Sequence, residues 1–220
     1  MSLAEIKSRI ASSCQSTRRD AASVTLVAVS KFQPLEKIEE LLERGHRVFG
    51  ENRVQEAEEK YTSALREKYP DINLHFIGHL QTNKAKDAVR LFDVIETVDR
   101  PELAEALRHE MDKQKRNLPC FIQVNTGNEA QKGGVASKDL AALYRFCKEL
   151  KLNVTGLMCI PPVNDIPDLH FALLHKLAGE LGLKHLSMGM SADFDIAIRY
   201  GATHVRIGSA LFGERKDQAA

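Results

Sequence analysis

Eight short apolar runs, each separated from the next by enough chain for a helix, are the feature that most limits how this sequence can fold. The runs lie at residues 25–29, 47–49, 74–77, 94–98, 120–124, 154–160, 185–187 and 204–207. The first contains four consecutive apolar residues, which is typical of a strand buried on both faces. Helical patterns fill the intervals, and one of them begins at Pro34 and ends near Gly45, residue types that suit a helix start and a helix exit. The sequence therefore predicts alternating β-strands and α-helices.

The number of strands favours a closed barrel over an open sheet. Each parallel βαβ step needs a crossover of a dozen or more residues, and the 220-residue chain is long enough for eight steps. An open doubly wound sheet usually has fewer strands and a G-x-G-x-x-G turn after the first one, which is absent after Val29. We predict an α/β fold with one domain over residues 1–220, a single (β/α)8 TIM barrel. Its strands span about residues 25–207, and an extra helix precedes them at 3–17.

Composition excludes several classes of partner. The chain has 31 Lys and Arg residues against 30 Asp and Glu residues, a net charge of +1, so the usual electrostatic basis for nucleic-acid binding is missing. No run approaches the ~20 apolar residues of a membrane span, and the N-terminal region is too charged for a signal-peptide core. The four cysteines form no C-x-x-C pair, which favours buried thiols in a reducing compartment. We expect a cytoplasmic protein without nucleic-acid or membrane partners.

Reactive groups of TIM barrels lie at the carboxyl ends of the strands, and the first strand ends in Ser30 and Lys31. Partial desolvation at a barrel mouth lowers the pKa of a lysine and makes its amine usable for a Schiff base. A lysine at this position can equally pair with an acid at the rim, such as Glu51. Position alone leaves both interpretations open.

Other strand ends carry residues with two interpretations each. Asn52 follows the second strand, where it could bind a ligand or cap the next helix, the more common role. Met158, near the end of the sixth strand, could fill the core or pack on a flat ring. His75 and His79 are four residues apart, but a strand and loop do not place them on one helical face, so we expect no metal there. Lys132 lies in a glycine-rich loop that is either a lid or a solvated turn.

The last two strand ends form the pattern that is most informative about a ligand. TIM barrels often bind phosphate with the loops after strands seven and eight, through backbone N–H groups and a helix N-terminus. Ser191 and Ser209 offer hydroxyl groups there, and Gly208 lets the backbone approach closely. Ser191 can at the same time cap the following helix, predicted at 192–200. These residues predict an anion site.

Five motifs in order resemble the YggS/PROSC family of pyridoxal-phosphate homeostasis proteins. They are residues 27–31 (VAVSK), 50–52 (GEN), 75–84 (HFIGHLQTNK), 187–191 (SMGMS) and 205–213 (VRIGSALFG). The resemblance runs from about residue 26 to 215. It implies a barrel like the N-terminal domain of alanine racemase, with pyridoxal 5′-phosphate (PLP) bound at the mouth.

The resemblance also implies a role for each site residue. Lys31 is similar to the lysine that holds PLP as a covalent aldimine, and Arg206 to the arginine that faces the pyridine nitrogen. Asn52 and Met158 resemble ring-side contacts. The phosphate cup corresponds to Ser191, Gly208 and Ser209. Family members often have Thr at the last position, and the hydroxyl group that binds phosphate survives the exchange.

Catalysis is not expected from these residues. An arginine at the ring nitrogen does not release its proton, so the electron sink is weak, and barrel-type racemases take their second base from an additional domain that we do not find in this sequence. We therefore expect a PLP carrier in vitamin B6 and amino-acid homeostasis, monomeric, with PLP-dependent apo-enzymes as recipients. One alternative is a racemase-like PLP enzyme with Lys132 or a histidine as base. The other is a Schiff-base aldolase, which fits less well because the aldolase lysine usually lies on strand six, where this chain has Met158.

Overall fold

The computed structural model describes residues 1–129 and 131–213. All strand pairs in this part of the chain are parallel. The strands are β1 (Thr25–Val29), β2 (Val48–Glu51), β3 (Asn73–Phe76), β4 (Val94–Val98), β5 (Cys120–Asn125), β6 (Val135–Ala136), β7 (Val154–Met158), β8 (His185–Met190) and β9 (His204–Ile207). The helices are α1 (Leu3–Ser16), α2 (Leu35–Glu43), α3 (Val54–Lys60), α4 (Ser63–Lys68), α5 (Ala85–Leu91), α6 (Pro101–Gln114), α7 (Leu140–Glu149), α8 (Pro167–Glu180), α9 (Phe194–Arg199) and α10 (Ser209–Phe212).

Eight of the strands close into a barrel, which confirms the predicted fold. The strand order is β4-β3-β2-β1-β9-β8-β7-β5, and a β4–β5 pairing closes the ring. The two-residue strand β6 pairs with β5 outside the ring. The first and last barrel strands are neighbours, with Val27 opposite Arg206 and Ala28 opposite Ile207. The loops that follow β1 and β9 therefore meet at the same side of the barrel mouth.

The predicted extra helix precedes the barrel as α1. Its start is fixed by a capping box, in which the Ser2 hydroxyl accepts from the Glu5 N–H and the Glu5 carboxylate accepts from the Ser2 N–H. Ile6 and Ile10 lie on its buried face, and the helix packs against α9. Within the described part of the chain, none of the helices is both long and apolar enough to cross a bilayer. The four cysteines are buried and unbridged.

Residues 54–68 form two helices, because Tyr61 interrupts a polar segment that could otherwise continue as one helix. The Tyr61 side chain is almost completely buried, its ring lies 5.9 Å from that of Phe49, and its hydroxyl is 2.8 Å from Ser30 Oγ. Thr62 then caps α4 by accepting from the Leu65 N–H. Packing against the barrel thus overrides a continuous helical pattern.

The boundaries near the last loops also differ from the prediction. Strand β8 extends to Met190, and α9 begins at Phe194 with Asp193 as its N-cap residue. The prediction that Ser191 caps this helix was therefore wrong. The short elements β6 and α10 were not predicted, because segments of two and four residues carry too few periods of a hydrophobic pattern.

Gly156 is required where β7 packs between its neighbours. A Cβ atom at this position would lie 2.4 Å from the His185 carbonyl oxygen and 2.7 Å from a ring carbon of Phe121. We expect Gly156→Ala to lower the free energy of unfolding by about 1–3 kcal/mol, because the added methyl group overpacks the barrel.

Gly179→Ala is the matched control for this substitution. Gly179 lies in α8, and a Cβ atom there meets nothing within 4 Å, so alanine should raise stability by about 0.5–1 kcal/mol through helix propensity. Chemical denaturation of both variants measures the two effects. Equal stability changes would contradict the packing assigned to Gly156.

Candidate functional site

A cavity of about 340 Å³ opens at the carboxyl ends of the barrel strands. Its volume lies within the range of small-molecule sites. Six of the seven residues that we predicted as cofactor-binding line it, namely Lys31, Asn52, Ser191, Arg206, Gly208 and Ser209. These residues come from loops and strand ends that are distant in sequence, and the barrel brings them together.

The turn that carries Lys31 is fixed from behind by buried polar groups. The Ser30 hydroxyl donates to Glu51 Oε1 at 2.8 Å, and Lys60 Nζ donates to the Ser30 carbonyl oxygen at 2.8 Å. Phe32, the residue after Lys31, has a φ angle of +62°, a conformation that a bulky side chain adopts only under constraint. The chain therefore turns sharply at Lys31, and the lysine lines the cavity instead of continuing along the strand.

Glu51, which we considered as a rim partner for Lys31, is not at the rim. It is fully buried, and its Oε1 atom accepts from Ser30 and Lys60. Burial raises the pKa of Glu51 to about 7, against the opposing effects of Lys60 and Ser30. Its carboxyl group thus belongs to the support behind the turn.

Asn52 reaches the cavity because Gly78 allows a close approach of two loops. A Cβ atom at Gly78 would lie 2.2 Å from the Asn52 carbonyl oxygen. The N-cap residue of α3 is Arg53, so Asn52 does not have the capping role. Its side-chain Oδ1 atom is buried and has no hydrogen-bond partner among the residues that the structure describes. A buried acceptor without a partner at a cavity wall is suited to a ligand donor.

Ser191 organises one end of the cavity. Its hydroxyl oxygen accepts from the N–H groups of Gly208 and Ala210, at 3.3 and 3.2 Å. These bonds hold the loop after β8 against the turn into α10, where Ser209 contributes a second hydroxyl group to the cavity. Hydroxyl and backbone N–H donors at one end are the groups that bind a phosphate.

Arg206 lies at the base of the cavity and is almost completely buried. Its Nη1 atom donates to Ser187 Oγ at 2.7 Å, and its Nη2 atom donates to the Cys159 carbonyl oxygen at 2.8 Å. Ser187 in turn donates to Glu96 Oε2 at 2.5 Å. His75 Nδ1 lies 2.6 Å from the other oxygen of Glu96.

The Glu96 carboxyl group is ionised in this environment. Burial alone acts to raise its pKa, but the hydrogen bond and charge of His75 and the charge of Arg206 outweigh burial and lower the pKa to about 2. His204 lies beside this pair, with its ring 5.8 Å from that of His75. Burial lowers the pKa of His204 to about 4, so this histidine is neutral near pH 7.

Met158 is the one predicted site residue that the cavity does not include. Its side chain is fully buried in a small cluster with Val94 and Phe121. Met158 therefore fills the core, which was one of the two roles that the sequence left open. Its contact with a cofactor ring stays a prediction.

The remaining residues that we considered do not join the site. His75 is in the barrel core, whereas His79 is largely exposed and lies 3.7 Å from Asp99. Lys132 pairs with Glu129 at 2.6 Å. Asn125 bonds to the Glu129 carbonyl oxygen at 2.8 Å, so the loop that carries Lys132 has internal hydrogen bonds.

The buried cluster around Glu96 is the feature of the site that we did not predict. Its signal in the sequence was present: Glu96 lies within the apolar run 94–98, and Ser187 ends another run. A charged residue inside a strand that is buried on both faces requires a buried partner. The sequence does not say which residue on the opposite side of the barrel supplies it.

The fold and the cavity define the chain as a barrel of the alanine racemase type. The family model described as alanine racemase, N-terminal domain, matches residues 3–216. The chain belongs to this family, in the branch of the pyridoxal phosphate homeostasis proteins. It is 42% identical over 224 residues to the pyridoxal phosphate homeostasis protein of Aquifex aeolicus, covering 97% of each chain. It is 35% identical over 222 residues to that of Escherichia coli K12, covering 97% of this chain and 95% of the relative.

Solved structures agree with this assignment. PipY of Synechococcus elongatus PCC7942, solved with PLP bound, superposes with a TM-score of 0.81 at 37% identity, covering 93% of this chain and all of PipY. An alanine racemase of Clostridium difficile 630 has a TM-score of 0.68 at 15% identity, and the match covers 96% of this chain and 56% of the racemase. The match to the alanine racemase establishes only the fold.

The lowered pKa of His204 predicts a pH dependence of stability. Between pH 6.5 and 4 the unfolded chain takes up a proton at this histidine and the folded chain does not, so the wild type loses stability as the pH falls. The loss from this group is at most about 1.4 kcal/mol per pH unit. His204→Gln removes this pH-dependent loss. As the pH falls from 6.5 to 4, the wild type should therefore lose more stability than the variant, and the advantage of the wild type should shrink.

Chemical denaturation at a series of pH values measures this difference. The control is His109→Gln, which changes an exposed histidine on α6 and should give the wild-type profile. A constant difference between wild type and His204→Gln from pH 6.5 to 4 would contradict the burial effect.

Proposed function

We propose that the chain binds PLP in the cavity at the barrel mouth, holds it as a Schiff base on Lys31, and serves as a carrier in vitamin B6 and amino-acid homeostasis. The observation that carries the proposal is the set of groups around one cavity: a lysine, a buried guanidinium group and a cradle of hydroxyl and N–H groups. The PLP-bound relative PipY supports it.

Each group of the cavity matches one part of the cofactor. Ser191, Ser209 and the backbone at Gly208 suit the phosphate group, because charge-assisted hydrogen bonds from N–H and O–H donors favour an anion. Arg206 suits the pyridine nitrogen as a donor. The free Oδ1 atom of Asn52 suits a donor at the edge of the ring.

When bound, the cofactor would supply an aldehyde carbon, and Lys31, which lines the cavity, would hold it through its amine. The chain's own residues orient this reaction. The fixed turn at residues 30–32 holds the lysine at the cavity, and the cradle around Ser191 holds the phosphate end. Lys31 is partly buried at the wall of the cavity.

We propose a carrier without catalytic activity. The arginine at the base of the cavity keeps its proton, and so it does not protonate a pyridine nitrogen as an aspartic acid partner does. The names of the curated relatives support a role in homeostasis. In this proposal the protein is a cytoplasmic monomer, and PLP-dependent apo-enzymes receive the cofactor from it.

The visible spectrum of the purified protein, with PLP added if the protein is colourless, tests the proposal. A yellow protein whose band disappears on borohydride reduction, with a phosphopyridoxyl adduct on Lys31 in peptide mass spectra, is the expected result. Lys31→Ala should lose the adduct and keep its fold, because a lysine at the barrel mouth contributes little to core packing. Lys176→Ala, at an exposed position on α8, is the control and should keep the adduct.

Two outcomes would contradict this proposal. A protein that takes up no added PLP would remove the cofactor assignment, and an adduct on a lysine other than Lys31 would remove the residue assignment. The proposed lack of catalysis is tested with L-alanine in deuterated water. Exchange of the α-proton faster than with free PLP would instead favour the racemase-like enzyme.

The phosphate cradle has its own test in Ser191→Ala/Ser209→Ala. The double variant should lose up to a few kcal/mol of PLP binding, because each charge-assisted bond contributes roughly 1.5–3 kcal/mol and the backbone donors remain. Pyridoxal, which has no phosphate, should bind the double variant and the wild type equally. Isothermal titration with both compounds measures this, and an equal loss for the two would contradict the cradle.

A further inference from the structure

The guanidinium group of Arg206 poses an electrostatic problem, because it is a permanent cation that is 3% exposed. A buried cation is tolerated only with a counter-charge and a full set of hydrogen bonds. Its direct partners are both uncharged, the Ser187 hydroxyl and the Cys159 carbonyl group. One of them, Ser187, also bonds to a carboxylate.

Ser187 connects Arg206 to a carboxylate with a defined direction of donation. A hydroxyl group has one proton, and Arg206 can only donate, so Ser187 Oγ accepts from the arginine at 2.7 Å. Its own proton then goes to Glu96 Oε2 at 2.5 Å. The chain of donors runs one way, from the cavity into the barrel core.

Glu96 is held in turn on its other side. Its Oε1 atom lies 2.6 Å from His75 Nδ1, which donates because an ionised carboxylate can only accept. Glu96, Ser187 and His75 are all essentially inaccessible to solvent. Three different strands, β4, β8 and β3, thus hold this carboxylate in one place.

We propose that Glu96, acting through Ser187, is a positioning residue that fixes the Arg206 guanidinium group at the base of the cavity and balances its charge. Glu96 does not line the cavity. It acts only through the arginine, and its effect on a cofactor rests on the function proposed above.

The proposal has a consequence for each variant of the network. Ser187→Ala leaves both charges in place but removes the group that joins them, so the guanidinium group becomes mobile. Glu96→Gln keeps the shape of the side chain but removes the counter-charge. Both substitutions should weaken PLP binding about tenfold, the value of one charge-assisted hydrogen bond at the lower end of its range.

Thr97→Val is the matched control. Thr97 lies on the same strand as Glu96, is 1% exposed, and its hydroxyl oxygen has no hydrogen-bond partner. Valine has nearly the same shape, so this substitution perturbs the same strand without touching Arg206. Its PLP affinity should equal that of the wild type.

A double-mutant cycle with Arg206→Met separates positioning from a general structural effect. If Glu96 and Ser187 act through Arg206, their substitutions change PLP affinity in the wild-type background and leave it unchanged in the Arg206→Met background. A loss of the same size in both backgrounds would overturn the proposal. Ser187→Ala carries this test if Glu96→Gln fails to fold.

A second readout needs no cofactor. In protein labelled with nitrogen-15 arginine, the wild-type apoprotein should show slowly exchanging guanidinium N–H signals that disappear in Arg206→Met. These signals should broaden or exchange rapidly in Ser187→Ala and persist in Thr97→Val. Persistence in Ser187→Ala would overturn the positioning role, whereas the expected NMR result without any PLP binding would leave it standing and remove the proposed function instead.

Discussion

The pairing of β1 with β9 is the constraint on which the candidate site depends. Lys31 follows β1, and Arg206, Gly208 and Ser209 lie in β9 and directly after it, at opposite ends of the barrel sequence. They meet only because the ring closes with Val27 opposite Arg206. Parallel pairing then places both carboxyl ends at one edge. Backbone hydrogen bonds consequently fix the chain at Lys31, at Arg206 and at the loop that carries Ser209 relative to one another.

The fold was predictable where a segment is long enough to show a pattern. All eight predicted barrel strands exist, and the clearest of them, such as Thr25–Val29 and Val94–Val98, are largely buried on both faces. The prediction failed where one tertiary contact overrides a local pattern. Tyr61 turns inward to reach Ser30 and ends a helix. Asp193, and not Ser191, precedes α9, because β8 continues further than its apolar residues indicate.

The candidate site was predictable as a set of strand ends, and less so as a network. Position at a strand end and similarity of motifs identified six of the residues that line the cavity. The support for Arg206 could not be read in the same way, because Glu96 and Ser187 lie on opposite walls of the barrel interior. Their bond depends on barrel diameter and strand register, which sequence spacing does not encode. The partners of buried charges in such a site can therefore be identified only from a structure.

The position of the site between the first and last barrel strands has a consequence for biosynthesis. A growing chain displays Lys31 long before the ribosome has added β9. Until then the lysine lacks the Ser209 loop and the guanidinium group beside it, so a nascent chain offers only an isolated amine. The proposed capture of a phosphorylated ligand can therefore begin only after translation has passed the last barrel strand.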